Sequence, residues 1–261
     1  MFHIIFFILQ MSTSREGIAR ETAFLQRMAN SGDPHSQFLY AVQLDTGDGI
    51  PRDETKAFQY YMFAANNGNP EAMYNVGVCY QTADGVPKNL DKAAEWYKKS
   101  ADNGHPKGMV TYAMCLMNGI GTKIDLDMAV RYLKKAADRG DAGAQINYAY
   151  MLQKGDVVPQ NLDAAAKYLE KAAAQYNIEA QFSYGMCFKT GSGVEKDLKK
   201  YTDYMRLSAD QGNIEAMYRY ARCLEKGKGV KQNLKDASMY YENASDRGHE
   251  KAKEGYLRLN P

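Results

Sequence analysis

This chain has few of the features that mark an enzyme, a membrane protein or a nucleic-acid binder. Its opening apolar run, residues 2–9, falls well short of the roughly 20 residues a membrane span needs. Charge of neither sign dominates: 33 basic and 31 acidic residues leave a net +2, which gives no global attraction for nucleic acid or a lipid surface. Only four histidines occur, and none forms a His-x-x-x-His pair for a metal. No serine is followed three residues on by lysine, as acylating serine hydrolases of the Ser-x-x-Lys type require. A kinase signature is missing as well. The expectation is a protein with no catalytic residue, no metal and no cofactor.

What the chain does have is a period. Six consecutive windows of 36 residues, 32–247, overlay without insertion and take up 216 of 261 residues. A fixed period in this range signals stacked helix pairs, each touching mainly its neighbours and together offering an extended surface. Gly32, Gly68, Gly104, Gly140, Gly212 and Gly248 write the boundaries, with Tyr176 in the one slot that lacks glycine. Helices commonly end on a left-handed residue, which glycine adopts at no steric cost. The next residue is Asp33, Asn69, His105, Asp141, Asn177, Asn213 or His249, a capping position for the following helix.

Two helices fit each window. Helix A carries a small residue, then a large one four later, then another small one, as in Ala72, Val76 and Gly77 or Ala180, Tyr184 and Gly185. Such spacing lets two backbones approach to roughly 8–10 Å. Helix B opens on Asp53, Asn89, Asp125, Asn161, Asp197 or Asn233, and carries the aromatic row Tyr60, Trp96, Tyr132, Tyr168, Tyr204 and Tyr240. Its other face is charged and reads as solvated.

The flanks read as half-repeats. Residues 1–14 are an apolar leader or a mis-assigned start followed by a polar lead-in, with Met11 an equally good start. Residues 15–31 read as a lone B-type capping helix, and 248–261 as an A-type capping helix whose polar outer side closes the stack. Cys79, Cys115, Cys187 and Cys223 share one slot on helix A. Repeats about 10 Å apart exceed the ~7 Å Cα limit of a disulfide, so reduced, buried thiols are expected.

These rows resemble the Sel1-like repeats, a subgroup of the tetratricopeptide-like solenoids. The resemblance rests on Ala72, Val76-Gly77, Tyr80, Gly85-Val86, Asn89, Lys92-Ala93, Trp96-Tyr97, Lys99-Ser100-Ala101 and Gly104, with weaker copies in the other windows. It implies an all-α fold, a right-handed α-solenoid of stacked antiparallel helix pairs, and a non-enzymatic adaptor that binds a protein or peptide, including in endoplasmic-reticulum quality control. The chain departs from the family in having Tyr or Val where Leu usually precedes the small residue, Tyr176 in the glycine slot and Tyr201 in a small slot of helix B. A tyrosine in an Ala-sized contact overpacks by roughly 1–3 kcal/mol unless the helices separate, so a bend or altered spacing is expected in the fifth repeat.

By analogy with related solenoids, helix A lines a concave groove. The candidate partner-binding residues are Phe38, Tyr74, Asn75, Val78, Met114, Asn147, Tyr150, Phe182, Met186, Tyr218, Arg219 and Arg222. Apolar stripes at helical spacing are usually core, and that reading competes with the groove. The competing enzyme reading is a disulfide-free relative of Sel1-like β-lactam hydrolases. Lys189-Thr190-Gly191 spells the Lys-Thr-Gly of such enzymes, but it falls where helix A ends in every repeat. A nucleic-acid solenoid needs a basic groove and a base-reading pair in each repeat, which the mixed charge of helix A does not supply. The expected compartment is cytoplasmic, or the endoplasmic-reticulum lumen or outside if the leader is a signal.

Overall fold

The computed structural model describes residues 15–261; the apolar run and the alternative start at Met11 lie outside the described residues. The regular elements among the described residues are fourteen α-helices, with no strand. A single helix, α1 (Arg15–Asn30), precedes six pairs. The pairs are α2 (Pro34–Thr46) with α3 (Glu54–Asn66), α4 (Pro70–Thr82) with α5 (Leu90–Asp102), and α6 (Pro106–Asn118) with α7 (Leu126–Asp138). They continue as α8 (Ala142–Lys154) with α9 (Leu162–Ala174), α10 (Ile178–Thr190) with α11 (Leu198–Asp210), and α12 (Ile214–Lys226) with α13 (Leu234–Asp246). A last helix, α14 (Glu250–Leu259), follows. The chain divides into two compact units, one ending at Tyr132 and the other beginning at Leu133.

Capping explains why the helices start where they do. The side chains of Asp33, Asn69, Asp141, Asn177 and Asn213 each accept the amide of the residue three positions on, and the Nδ1 atoms of His105 and His249 do the same for Gly108 and Ala252. The B helices are capped in the same way by Asp53, Asn89, Asn161, Asp197 and Asn233. Each cap satisfies one amide that the helix leaves open, at about 1 kcal/mol. Gly191 ends α10 in the left-handed region at φ 79°, so the Lys-Thr-Gly triplet is a helix terminus.

Small residues set the closeness of packing. A Cβ on Gly77 would lie 2.6 Å from the Tyr97 ring, and one on Gly255 would lie 2.8 Å from that of Tyr241. Side-chain hydroxyls fasten successive B helices across 30 residues: Tyr60 donates to Asn30 and Tyr132 to Asp102 at 2.6 Å, and Tyr168 to Asp138 and Tyr240 to Asp210. Two rungs of this ladder are missing. Trp96 has no hydroxyl, and the position 30 residues before Tyr204 is Ala174, which has no acceptor; Tyr204 stacks on Phe188 instead, at 5.9 Å.

The fifth repeat keeps the register of its element boundaries, since α10, α11 and α12 begin and end at positions equivalent to those elsewhere. It carries two departures from the repeat pattern. Tyr176 holds the left-handed conformation at φ 61° with its side chain 77% exposed. A Cβ has room in this slot, because one built on Gly32, Gly68, Gly140 or Gly248 meets nothing within 4 Å. The cost is therefore that of the backbone, about 1–2 kcal/mol for a residue with a Cβ. Tyr176→Gly is expected to raise stability by about 1 kcal/mol, read as a higher urea midpoint at unchanged slope; an unchanged or lower midpoint would show the slot to be unstrained. The second departure, Tyr201, turns its bulk toward the next A helix, where it becomes part of a cleft.

Candidate functional site

The side chains that helix A does not spend on the core define the candidate site. On α12 the buried residues are Ala216, Met217, Tyr220, Ala221, Cys223 and Leu224, which leaves Glu215, Tyr218, Arg219, Arg222 and Lys226 on the opposite face. The 3.6-residue period repeats that division on the other A helices.

In the first unit, the Phe38 ring lies 6.1 Å from Tyr61, and the Tyr74 ring lies 5.6 Å from Tyr97 and 5.4 Å from His105. Phe38, Tyr74, Asn75 and Val78 are half-buried, and Met114 is 51% exposed. Each ring has one side packed and the other open. Ile146, in the same slot as Tyr74 but in the second unit, is the exception: it is 4% exposed and belongs to the core.

In the second unit the polar contacts are denser. The Tyr150 hydroxyl donates to Glu179 Oε1 at 3.2 Å and lies 2.8 Å from Ser183 Oγ. Burial and then the Glu179 charge raise the Tyr150 phenol above its ordinary value, with the Ser183 contact opposing them. The Arg219 guanidinium sits 5.7 Å over the Phe182 ring while its Nε lies 2.6 Å from Glu215 Oε1. Glu215 also meets His249 Nε2 at 3.0 Å, and the His249 ring stacks on Tyr218 at 4.4 Å. Arg222 covers the Tyr218 ring at 5.6 Å. Glu215, Tyr218, Arg219, Arg222 and His249 line an open cleft of about 440 Å³ with Gly248, Glu250 and Lys251.

Of the residues expected from the sequence, Phe182, Tyr218, Arg219 and Arg222 thus form one cluster in the second unit. Tyr150 forms another with Ser183 and Glu179. Asn147 and Met186 are half-buried on the same helical face. Sequence reasoning missed Glu215 and His249, because a capping histidine looks like a helix start and nothing more. It also missed a second cleft, of about 220 Å³, lined by Lys189, Leu198, Tyr201, Arg219, Arg222, Cys223, Lys226 and Lys228. There burial raises the Tyr201 phenol, while a hydrogen bond from Arg219 and the Arg219 and Arg222 charges pull it back.

All four thiols are free and buried, and burial pushes Cys79 up to about 12. Among the described residues, no three His, Cys, Asp or Glu side chains group as a metal would need, and no helix is long and apolar enough to cross a membrane.

Capped helix pairs recurring every 36 residues, with small-residue seams, define a helical-repeat solenoid. Six consecutive matches to the Sel1 repeat, at 34–69, 70–105, 106–141, 142–177, 178–213 and 214–249, make the chain a member of the Sel1 repeat family. Among solved structures it is similar to c5321, a protective antigen of uropathogenic Escherichia coli displaying an SLR fold. The two are 26% identical with a TM-score of 0.84, over 90% of this chain and 50% of that one, so this chain spans half the length of that relative. It is also similar to a Sel1 repeat protein from Oxalobacter formigenes, 26% identical with a TM-score of 0.71, over 88% of this chain and 94% of the other. No curated protein matches it. Sel1 repeats build protein-interaction scaffolds that are in general not enzymes.

Proposed function

We propose that this protein is a non-enzymatic adaptor that holds an extended segment of a partner protein against the open faces of its A helices. The observation that carries this reading is the half-exposure of Phe38, Tyr74, Phe182 and Tyr218 beside fully buried neighbours on the same helices. Partly exposed rings held in place by packed neighbours are rigid anchors: little side-chain entropy is lost when a partner covers them. Polar groups beside them, Asn75, Asn147, Arg219 and Arg222, supply the hydrogen bonds that fix a backbone or an acid. Four buried, separated thiols suit a reducing compartment such as the cytoplasm.

Affinity capture with quantitative mass spectrometry tests this. Tyr74→Ala with Tyr218→Ala, confirmed folded by circular dichroism, is expected to recover the partner at a level lower by about tenfold or more, since buried aromatic anchors contribute about 2 kcal/mol or more each. Undiminished recovery would remove both rings from the binding surface.

A further inference from the structure

In the fifth and sixth repeats, cations occupy slots that hold neutral or acidic residues elsewhere. The Arg222 slot is Val42, Val78, Met114, Tyr150 and Met186 in the other windows. The Lys228 slot is Asp48, Asp84, Ile120, Asp156 and Ser192. The Lys189 slot, at the end of the fifth A helix, is Asp45, Gln81, Met117, Gln153 and Glu225.

The last exchange has a structural counterpart. In three other repeats that slot accepts a buried tyrosine hydroxyl: Tyr61 donates to Asp45 at 3.3 Å, Tyr97 to Gln81, and Tyr241 to Glu225 at 2.6 Å. In the fifth repeat the tyrosine slot holds Met205, fully buried and without a hydroxyl. A tyrosine sits one turn earlier, at Tyr201, with the Lys189 ammonium 5.6 Å from its ring centre. An acceptor paired with a donor has been replaced by a cation beside an aromatic ring.

The resulting cleft is lined by Lys189, Arg219, Arg222, Lys226 and Lys228, and by no carboxylate. Arg219 is paired with Glu215; among the described residues no carboxylate lies within ion-pairing distance of the other four. Burial raises the Cys223 thiol at the cleft wall, and a hydrogen bond with Thr202, then the charges of Lys189, Arg222 and Lys228, oppose that rise. Four cations gathered with no carboxylate at ion-pairing distance concentrate anions from solution.

We propose that this cleft is an anion pocket, which takes the acidic side chains of the partner segment held by the A-helix face. The inference rests on the adaptor reading above and adds the chemistry of the ligand. A polypeptide fits better than a nucleic acid, because the cations gather in one cleft of about 220 Å³ instead of tracking along the stack. Glu215 and Glu179 interrupt the same face, and the chain as a whole carries only +2. Arg222 also covers Tyr218, which places an aromatic anchor next to the charge.

The test is fluorescence anisotropy with a fluorescein-labelled decapeptide of alternating Glu and Ala, and a second peptide with Gln for Glu. The Glu peptide is expected to bind the full-length protein about tenfold or more tighter than the Gln peptide, with an affinity that falls as salt rises. Arg222→Glu with Lys228→Glu is expected to lose about tenfold or more for the Glu peptide. Lys167→Glu with Lys235→Glu, which makes the same change in net charge on the B helices, is expected to keep it; thermal melts establish that both variants are folded. Absence of Glu-peptide binding, equal loss in the charge-matched control, or tighter binding of a single-stranded oligonucleotide of the same charge would each overturn the pocket. Equal binding of the Gln peptide would overturn it too, while leaving the adaptor reading to stand on the tyrosine variants. Tight, salt-sensitive Glu-peptide binding alongside undiminished capture by those variants would do the reverse.

Discussion

Replacing Gly121 with alanine is expected to cost about 2–4 kcal/mol of folding stability, the sum of a steric and a backbone penalty. Gly121 lies in the loop between α6 and α7 at φ 64°, where a Cβ would sit 1.9 Å from the carbonyl oxygen of Leu90, the first residue of α5. No side-chain rotation relieves that contact, because the obstacle is backbone. The same approach recurs at Gly85 on Glu54 at 2.1 Å, Gly193 on Leu162 at 2.0 Å and Gly229 on Leu198 at 2.1 Å. In each case a loop rests on the start of the B helix one repeat earlier. Gly32→Ala is the control. Gly32 also has positive φ, 96°, but a Cβ there meets nothing within 4 Å, so only the backbone penalty of about 1–2 kcal/mol applies. Urea denaturation of both variants checks the comparison; an equal loss in the two would show that the loop moves aside freely.

Tyr97→Ala is expected to be costlier, at about 3–5 kcal/mol, the range for truncating a buried aromatic ring. Tyr97 is 2% exposed and fills the space that Gly77 leaves open. It also backs Tyr74 at 5.6 Å, so its loss removes the support of a candidate anchor. Tyr97→Phe separates ring from hydroxyl: it forfeits the hydrogen bond to Gln81 and should cost about 1 kcal/mol. Thermal and urea unfolding give both numbers. A truncation no worse than the Phe variant would mean that the seam between α4 and α5 collapses around the missing ring.

The fold was legible because one short grammar is repeated. Asp, Asn or His before each helix and glycine after most of them place the ends, and the alternation of small and large residues places the seams. Function was less legible for a physical reason. A half-buried tyrosine such as Tyr74 and a fully buried one such as Tyr97 look alike in a helical period; what separates them is which neighbour carries the glycine. Ile146 shared its slot with Tyr74 and turned out to be core. The cationic cleft was harder still to read. Its five charges come from α10, α12 and the loop after α12, and Tyr201 stood out in the sequence only as an expected overpacking defect. Averaging charge over the whole chain concealed it.

The interrupted ladder of tyrosine hydroxyls has a consequence for how the layers are tied to one another. In a stack where each layer touches only its neighbours, cooperativity extends only as far as the interfaces are evenly matched. The seams at Trp96 and Tyr204 lack the hydroxyl tie that Tyr60, Tyr132, Tyr168 and Tyr240 supply elsewhere. In these two repeats a serine hydroxyl fastens the B helix to its own A helix instead, Ser100 donating to Pro70 and Ser208 to Ile178, so each of these B helices is tied within its repeat and not to the B helix before it. The Tyr204 seam belongs to the repeat whose Tyr201 and Lys189 line the cationic cleft, so the wall built by α11 is held by its own repeat and by the loop after α12, where Thr202 donates to the Lys228 carbonyl, and not by the B helix before it.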